Sequence, residues 1–334
     1  MSASPGAGRA AAMKIIGFYA PWDSASLVSL RQHSEDLQAV VPAWVSVTGP
    51  EHRVTIAPDS PGRAALAALK KPPRLWLMVQ NALLGTWDGQ GAAALLRDKA
   101  ATAAVLDQLE TEGVRDKASG LVVDFEDLPP GAQPDLLAFL AAARDRYRHH
   151  GWTLAVTAPV ANPNWNLSAL ATAADRVVLM AYDEHWLSGT PGPIASDPWF
   201  DSVVSRAVRQ LPPPEAIVVI ASYAYDWRIG GPATILAIPQ AQALAARNGV
   251  HPERDQASGS EHFTYTAGGA AHEVWMSDAA EVRGQMEIAR TAGAQGVGLW
   301  RLGTEDPAIW SSLPLSPPAD PRPAAAKGEE ERPR

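Results

Sequence analysis

The chain has 334 residues, 46% hydrophobic and 19% charged, the composition of an ordinary globular protein with room for one large domain or two small ones. Its formal net charge of -8 argues against nucleic acid or an anionic membrane as partner. The absence of cysteine excludes disulfides, thiolate catalysis and cysteine-ligated metals, and it fits any compartment.

Residues 1–13 are Ala/Gly/Ser-rich without an apolar core, so they read as a disordered N-terminus and not as a secretory signal. A cytoplasmic location is the default reading; export by another route, or a start at Met13, stays open. The first strand is read at Lys14–Tyr19, followed by a loop at Ala20–Asp23 and a helix over Ser24–Gln38 with Leu27, Leu30 and Leu37 at helical spacing. A second strand, Trp44–Val47, is read within Val40–Val47, a loop or hairpin over Gly49–Pro61, and a short helix over Ala64–Lys70. Leu75–Val79 is the third strand and ends in Gln80-Asn81. Ala92–Glu112 reads as one long amphipathic helix closed by Gly113.

Gly120-Leu-Val-Val-Asp124-Phe-Glu126-Asp127 follows, an apolar β-branched run that ends in carboxylates, as a buried parallel strand does when acid chemistry sits at its C-terminal end. Alternation puts Val122, Asp124 and Glu126 on one face and Leu121, Val123 and Phe125 on the other. The apolar face suits helix packing, so the two carboxyls stand side by side. Such neighbours do not both ionise easily, and one is pushed toward its protonated form, a general acid near neutral pH. The competing reading puts both acids in a solvated loop, with Asp127 as a helix cap.

The alternation continues: a helix at Pro134–His149, a strand at Leu154–Ala158, a helix at Leu167–Ala174, a strand at Arg176–Tyr182, a helix at Asp201–Gln210 and a strand at Ala216–Ser222. An insertion over about residues 228–277 carries hairpin strands at Phe263–Tyr265 and His272–Met276, and is placed to form one wall of a cleft. A helix at Glu281–Ala292 and a strand at Gly296–Trp300 complete the domain, and the Pro/Ala-rich stretch 314–334 reads as a disordered tail. Eight strands, most followed by a helix, fit an α/β fold of the (β/α)8 TIM-barrel type over 14–313. No apolar run is long enough to cross a bilayer. Polar and aromatic residues cluster where strands end, where such barrels carry function: Trp22-Asp23, Asn81, Asp124–Glu126, Asn162, Tyr182-Asp183, Tyr225-Asp226 and Trp300-Arg301.

These motifs resemble those of glycoside hydrolase family 18, the chitinase-like barrels. Gly-Leu-Val-Val-Asp124-Phe-Glu126 is similar to that family's fourth-strand signature, Met180-Ala-Tyr182-Asp183-Glu184-His185-Trp186 to its sixth-strand motif, and Trp300 to its eighth-strand tryptophan. They stand in the family's order, and the similarity spans about Lys14 to Trp310. The Tyr-Asp-Glu-His form looks most like the branch of spore-cortex N-acetylglucosaminidases and the barrel module found beside polysaccharide deacetylase and glycosyltransferase domains. The resemblance implies a retaining hydrolase of N-acetylhexosamine-containing oligo- or polysaccharides that needs no cofactor and no metal. Glu126 would be the general acid and Asp124 would orient the N-acetyl group. Tyr182 would bond its carbonyl oxygen, Asp183 would bind the same sugar, and Trp300 would lie under the ring. Trp22, Asn81, Tyr225, Asp226 and Arg301 are further candidates for glycan contact.

The chain departs from the family pattern at Val122, where an acid or Asn is usual, and at Ser119, where an acid is usual. Val122 cannot share a proton with Asp124, so the cycle would be slower or tuned differently. Two other classes are weighed against the hydrolase. A non-catalytic glycan-binding barrel is disfavoured by the presence of Glu126. A metal-dependent phosphodiesterase needs more converging carboxylates or imidazoles. The histidines show no ligand spacing, and His149-His150 falls near a helix C-terminus, where a dipole or surface role is the simpler reading.

Overall fold

A computed structural model describes residues 13–212 and 215–313; the predicted disordered ends, apart from Met13, lie outside the described residues. Eight parallel strands form a ring: β1 (Lys14–Tyr19), β2 (Ala39–Pro42), β3 (Arg74–Gln80), β4 (Gly120–Asp124), β5 (Thr153–Pro159), β6 (Arg176–Met180), β7 (Ala216–Ala221) and β8 (Gly296–Trp300). Each pairs with its neighbours in chain order, and β8 pairs with β1 to close the barrel. Around it lie the helices α1 (Ser24–His33), α2 (Ser60–Ala68), α3 (Gly89–Arg97), α4 (Lys99–Arg115), α5 (Gln133–Tyr147), α6 (Leu167–Ala173) and α7 (Asp197–Val208). No helix among the described residues is long and apolar enough to cross a membrane.

Strand alternation sorts the core into two layers. Ile16, Phe18, Val41, Trp76, Met78, Val122, Ala155, Val178, Ile217 and Val219 fill the barrel. Leu77, Val79, Leu121, Val123, Phe125, Val156, Leu179 and Leu299 belong to the apolar layer shared with the helices. The predicted parity of the fourth strand holds: Val122 points inward and Leu121, Val123 and Phe125 outward. Burying a leucine such as Leu121 contributes about 1.5–3 kcal/mol, so this parity is energetically fixed.

Two predicted elements are corrected by the structure. The barrel's second strand is Ala39–Pro42 and not Trp44–Val47, and it ends at Pro42, which has no N–H to continue a ladder. The chain then resumes as Val45–Thr48, paired in parallel to the end of β3 and antiparallel to Arg53–Ile56. The long helix expected over Ala92–Glu112 is α3 and α4. Asp98 between them is extended, and its carboxylate accepts from the N–H groups of Ala100 and Ala101. A side chain that caps one helix ends the one before it.

The insertion after β7 is a five-stranded antiparallel sheet in the order Ala233–Leu236, Ala224–Arg228, Ala270–Met276, Glu261–Ala267, Glu253–Arg254. Helix α8 (Ile238–Arg247) buries Ile238, Ala241 and Ala245 against Ala224, Phe263, Val274 and Met276 on one face. The other face carries Tyr223, Tyr225, Trp227 and Trp275 toward Tyr182 and Trp300 at the barrel mouth. Helix α9 (Ala279–Ala292) then returns the chain to β8.

Candidate active site

The site is built where β3 to β8 end. β4 delivers Asp124 as its last residue, 3% exposed. Thr157, on the inward face of the adjacent β5, donates from Oγ1 to Asp124 Oδ1 at 2.8 Å. Burial pushes the Asp124 carboxyl up to about 6, against the Thr157 hydrogen bond, which favours the carboxylate.

Glu126 lies two residues on, half-buried. Its backbone is fixed from β3's end: Glu126 N–H donates to Asn81 Oδ1 at 2.8 Å, and Asn81 Nδ2 donates to Glu126 O at 2.8 Å. The Glu126 carboxyl is raised well above the ordinary range. Burial is the main cause, and the negative charges of Asp124, Asp183 and Asp127 add to it. Burial and its acidic neighbours therefore favour the protonated form of Glu126.

β6 stops at Met180, and Asp183 follows with φ of +64°. This left-handed residue, a conformation that Asp adopts more readily than most, makes the turn that strand parity requires. Its Oδ1 accepts from Tyr223 Oη and Tyr225 Oη, each at 3.1 Å. The surrounding protein raises the Asp183 carboxyl despite these two donors. Tyr182 is held neutral by burial first and by the charges of Glu126, Asp124 and Asp183 after it. It is thus an O–H donor beside the acids.

Trp300, the last residue of β8, is half-buried and meets Phe18 edge-on with ring centroids 5.7 Å apart. Gly298 makes room for this: a Cβ there would lie 2.8 Å from the Phe18 ring. Among the described residues, the strand-end carboxylates do not form a set of three ligand atoms within 4.8 Å of one another; Glu110, His149 and His150 do.

The family model for glycosyl hydrolases family 18 matches residues 14–305. The chain belongs to this family. It is a glycoside hydrolase with the chitinase-type barrel. It is 26% identical over 310 residues to a glycosylase of Bacillus subtilis (strain 168), YvbX, covering 88% of this chain and 89% of that protein. It is 24% identical over 254 residues to the cortical fragment-lytic enzyme of the same organism, and the match spans 59% of that longer protein. The chitinase of Chromobacterium violaceum ATCC 12472 superposes with a TM-score of 0.82 at 27% identity, covering 90% of this chain and 98% of that one.

Within this family 18 barrel the expected residues fall into three groups. Asp124, Glu126, Tyr182, Asp183 and Trp300 come together at the mouth, as the electrostatic coupling of the acids and the packing of Tyr182 and Trp300 record. Three others are near it but engaged. Asn81, expected at the glycan, is wholly buried and holds the Glu126 backbone instead. Tyr225 is 4% exposed and supports Asp183. Arg301 is paired with Asp23 at 2.6 Å, while Trp22 beside that pair is 61% exposed and free to meet a ligand.

Asp226 is the correction. It lies on the far face of the insertion sheet, where its carboxylate accepts a hydrogen bond from Tyr265 Oη at 2.6 Å and faces His272 Nδ1 at 2.9 Å. Neighbours on a strand alternate faces, so Tyr225 and Asp226 cannot both turn to the mouth. Asp127 is likewise no helix cap, since α5 starts at Gln133 after Ala132 with no side-chain cap. His185 Nδ1 meets the Thr190 carbonyl at 2.9 Å and serves its own loop. Thr157 and Tyr223 were missed. The signal for Thr157 was its place two residues after Ala155, on the inward parity of β5.

Proposed function

We propose that this family 18 enzyme cleaves β-linked N-acetylglucosamine-containing glycans with retention, using the substrate's own acetamide as nucleophile. The observation that carries the reading is the unlike surroundings of two neighbouring carboxyls. Burial raises both, but only Glu126 is raised further by three neighbouring acids, and Thr157 gives Asp124 a hydrogen bond that favours its anion. Surroundings that differ in this way divide the acid and anion roles.

In this mechanism the Glu126 proton passes to the glycosidic oxygen as that oxygen leaves the anomeric carbon. The acetamide carbonyl oxygen bonds to the anomeric carbon from the opposite face, giving a cyclic oxazolinium. Asp124 accepts from the acetamide N–H and offsets the positive charge that develops there. Tyr182 donates its O–H to the acetamide oxygen and aligns it. Water then attacks the anomeric carbon, losing a proton to the Glu126 carboxylate, and the ring opens with two inversions summing to retention. Asp183, oriented by two tyrosines, bonds hydroxyls of the same sugar, and Trp300 gives an apolar floor. Trp22 extends the contact to the next sugar.

Because Val122 stands where the family pattern has an acid or Asn, Asp124 has no carboxyl on its inner side, away from Glu126, with which to share a proton. Thr157 takes the place of such a partner by hydrogen bonding alone. The names of the relatives point to chitin-like chains or to spore-cortex peptidoglycan, both polymers with N-acetylated amino sugars. The test is a comparison of fully N-acetylated with fully deacetylated glucosamine oligomers, with the anomer of the first product followed by proton NMR. The proposal requires cleavage of the acetylated series alone and a β-anomer first. Equal cleavage of both series would remove the acetamide from the mechanism. Binding without turnover would favour a glycan-binding barrel.

A further inference from the structure

The other end of the barrel carries a cluster that the glycosidase chemistry does not use. Glu110 sits on α4, which leads into the first residue of β4. His149 and His150 follow α5 and lead into the first residue of β5. The cluster therefore lies at the N-terminal ends of the strands, opposite Asp124 and Glu126. One ligand atom from each residue falls within 4.8 Å of the other two. His150 Nε2 is 2.8 Å and His149 Nε2 is 3.5 Å from the same oxygen, Glu110 Oε1.

The tautomer of His149 makes this more than a surface ion pair. Its Nδ1 lies 2.9 Å from the Arg146 carbonyl oxygen, which only accepts, so Nδ1 carries the hydrogen. In the neutral ring, Nε2 then presents a lone pair to the Glu110 carboxylate. Two acceptors facing each other repel unless a proton or a cation stands between them. A histidine whose second ring N–H is anchored on a backbone carbonyl is also the usual arrangement around a bound metal.

The spacing suits a small ion of the borderline-soft class. Ligand atoms at about 2.0–2.1 Å from a tetrahedral zinc stand roughly 3.3–3.4 Å apart, close to the 3.5 Å of the His149 contact. The supporting contacts fit as well. Arg146 Nε holds the other Glu110 oxygen at 2.8 Å, which turns Oε1 toward the imidazoles. Arg146 is paired also with Asp107, so Glu110, Asp107 and Arg146 leave one net negative charge beside the imidazoles. His150 is stacked on Trp152 at 4.9 Å, which fixes its ring.

We propose that Glu110, His149 and His150 bind one divalent transition-metal ion of the Zn2+ type, tying the end of α4 to the turn after α5. Binding moves the His150 hydrogen from Nε2, where it now serves Glu110, to Nδ1, and water completes the coordination. Ligands of two nitrogens and one carboxylate favour Zn2+ over Mg2+, which prefers oxygen donors.

The experiment is equilibrium dialysis of tag-free, chelator-treated protein against zinc chloride, with bound zinc measured by mass spectrometry. The expected result is one zinc per chain, unaffected by excess Mg2+. His149→Ala and Glu110→Gln should each weaken binding roughly tenfold or more, whereas His251→Ala, at an exposed histidine outside the cluster, should not. The His149 side chain is 65% exposed, so its removal spares the fold, and circular dichroism checks both variants. Absence of zinc binding by the wild type, displacement by Mg2+, or wild-type affinity in His149→Ala and Glu110→Gln would overturn the proposal.

Discussion

Replacing Asp124 with Asn should make the protein more stable and the enzyme worse, in a way that depends on pH. The Asp124 carboxyl is 3% exposed and rises from an ordinary value of 3.8 to about 6 on folding, because burial disfavours its charge more than the Thr157 hydrogen bond favours it. A raised value in an acid means that the folded protein holds the proton more tightly than the unfolded chain. Below 3.8 the carboxyl is protonated in both states and its charge costs nothing. As pH rises from 3.8 to about 6, the unfolded chain ionises first and stability falls; above about 6 the full cost stands. A difference of about two pH units corresponds to about 3 kcal/mol. Asn keeps an acceptor oxygen for Thr157 but adds amide hydrogens that need partners, so a gain of about 2 kcal/mol at pH 7 is expected. Activity should drop about 100-fold with the loss of the anion. Urea unfolding from pH 4 to 8, extrapolated to water, measures the gap between variant and wild type. A gap that does not change with pH, or an Asn variant that is less stable at pH 7, would refute the reasoning.

Three further outcomes follow from the same site. Asn81→Ala removes both hydrogen bonds to the Glu126 backbone and should cost about 1–3 kcal/mol of stability. Its kcat should fall about 10- to 100-fold with little change in KM, because Glu126 is displaced and not removed. Thr157→Val removes the one hydrogen bond among the described residues that favours the Asp124 carboxylate, so the acid limb of kcat/KM should move about one pH unit higher; an unshifted profile in pH-resolved kinetics would contradict the role given to Asp124. Tyr182→Phe keeps the ring packing and loses the donor, and kcat should fall about 100-fold while thermal unfolding stays close to that of wild type.

Much of this was legible in the sequence because the barrel repeats one pattern. Apolar β-branched strands alternating with amphipathic helices fix the architecture. Parity alone sent Val122 and Asp124 inward and Phe125 outward, as the two core layers have it. What stayed hidden depends on contacts across the chain. Asn81 and Glu126 are 45 residues apart, and nothing local says that an amide at one strand's end grips the backbone at the next. Thr157 reaches Asp124 across a strand pair for the same reason. Helix periodicity ran through Asp98 without a break, and only its capping bonds show that two helices meet there. The insertion was hard because its two outer strands, Ala233–Leu236 and Glu253–Arg254, are short and its helix α8 starts Ile238-Pro239, a pairing that reads as loop punctuation. Once Ala224–Arg228 is known as a strand, Tyr225 and Asp226 must part, and a slip of one residue exchanges every side chain between the faces. The histidines beside Glu110 had no ligand spacing in sequence, because the third ligand comes from the preceding helix.

The most direct measurement is the turnover of an N-acetylglucosamine tetramer by wild type and Glu126→Gln, with binding followed by calorimetry. Gln keeps the shape of Glu126 and its backbone anchor on Asn81 but has no proton to give. The account predicts that kcat falls by about a thousandfold or more while the tetramer still binds. Equal turnover by both proteins would contradict it, because the group held protonated at the mouth of the barrel would then have no part in the reaction.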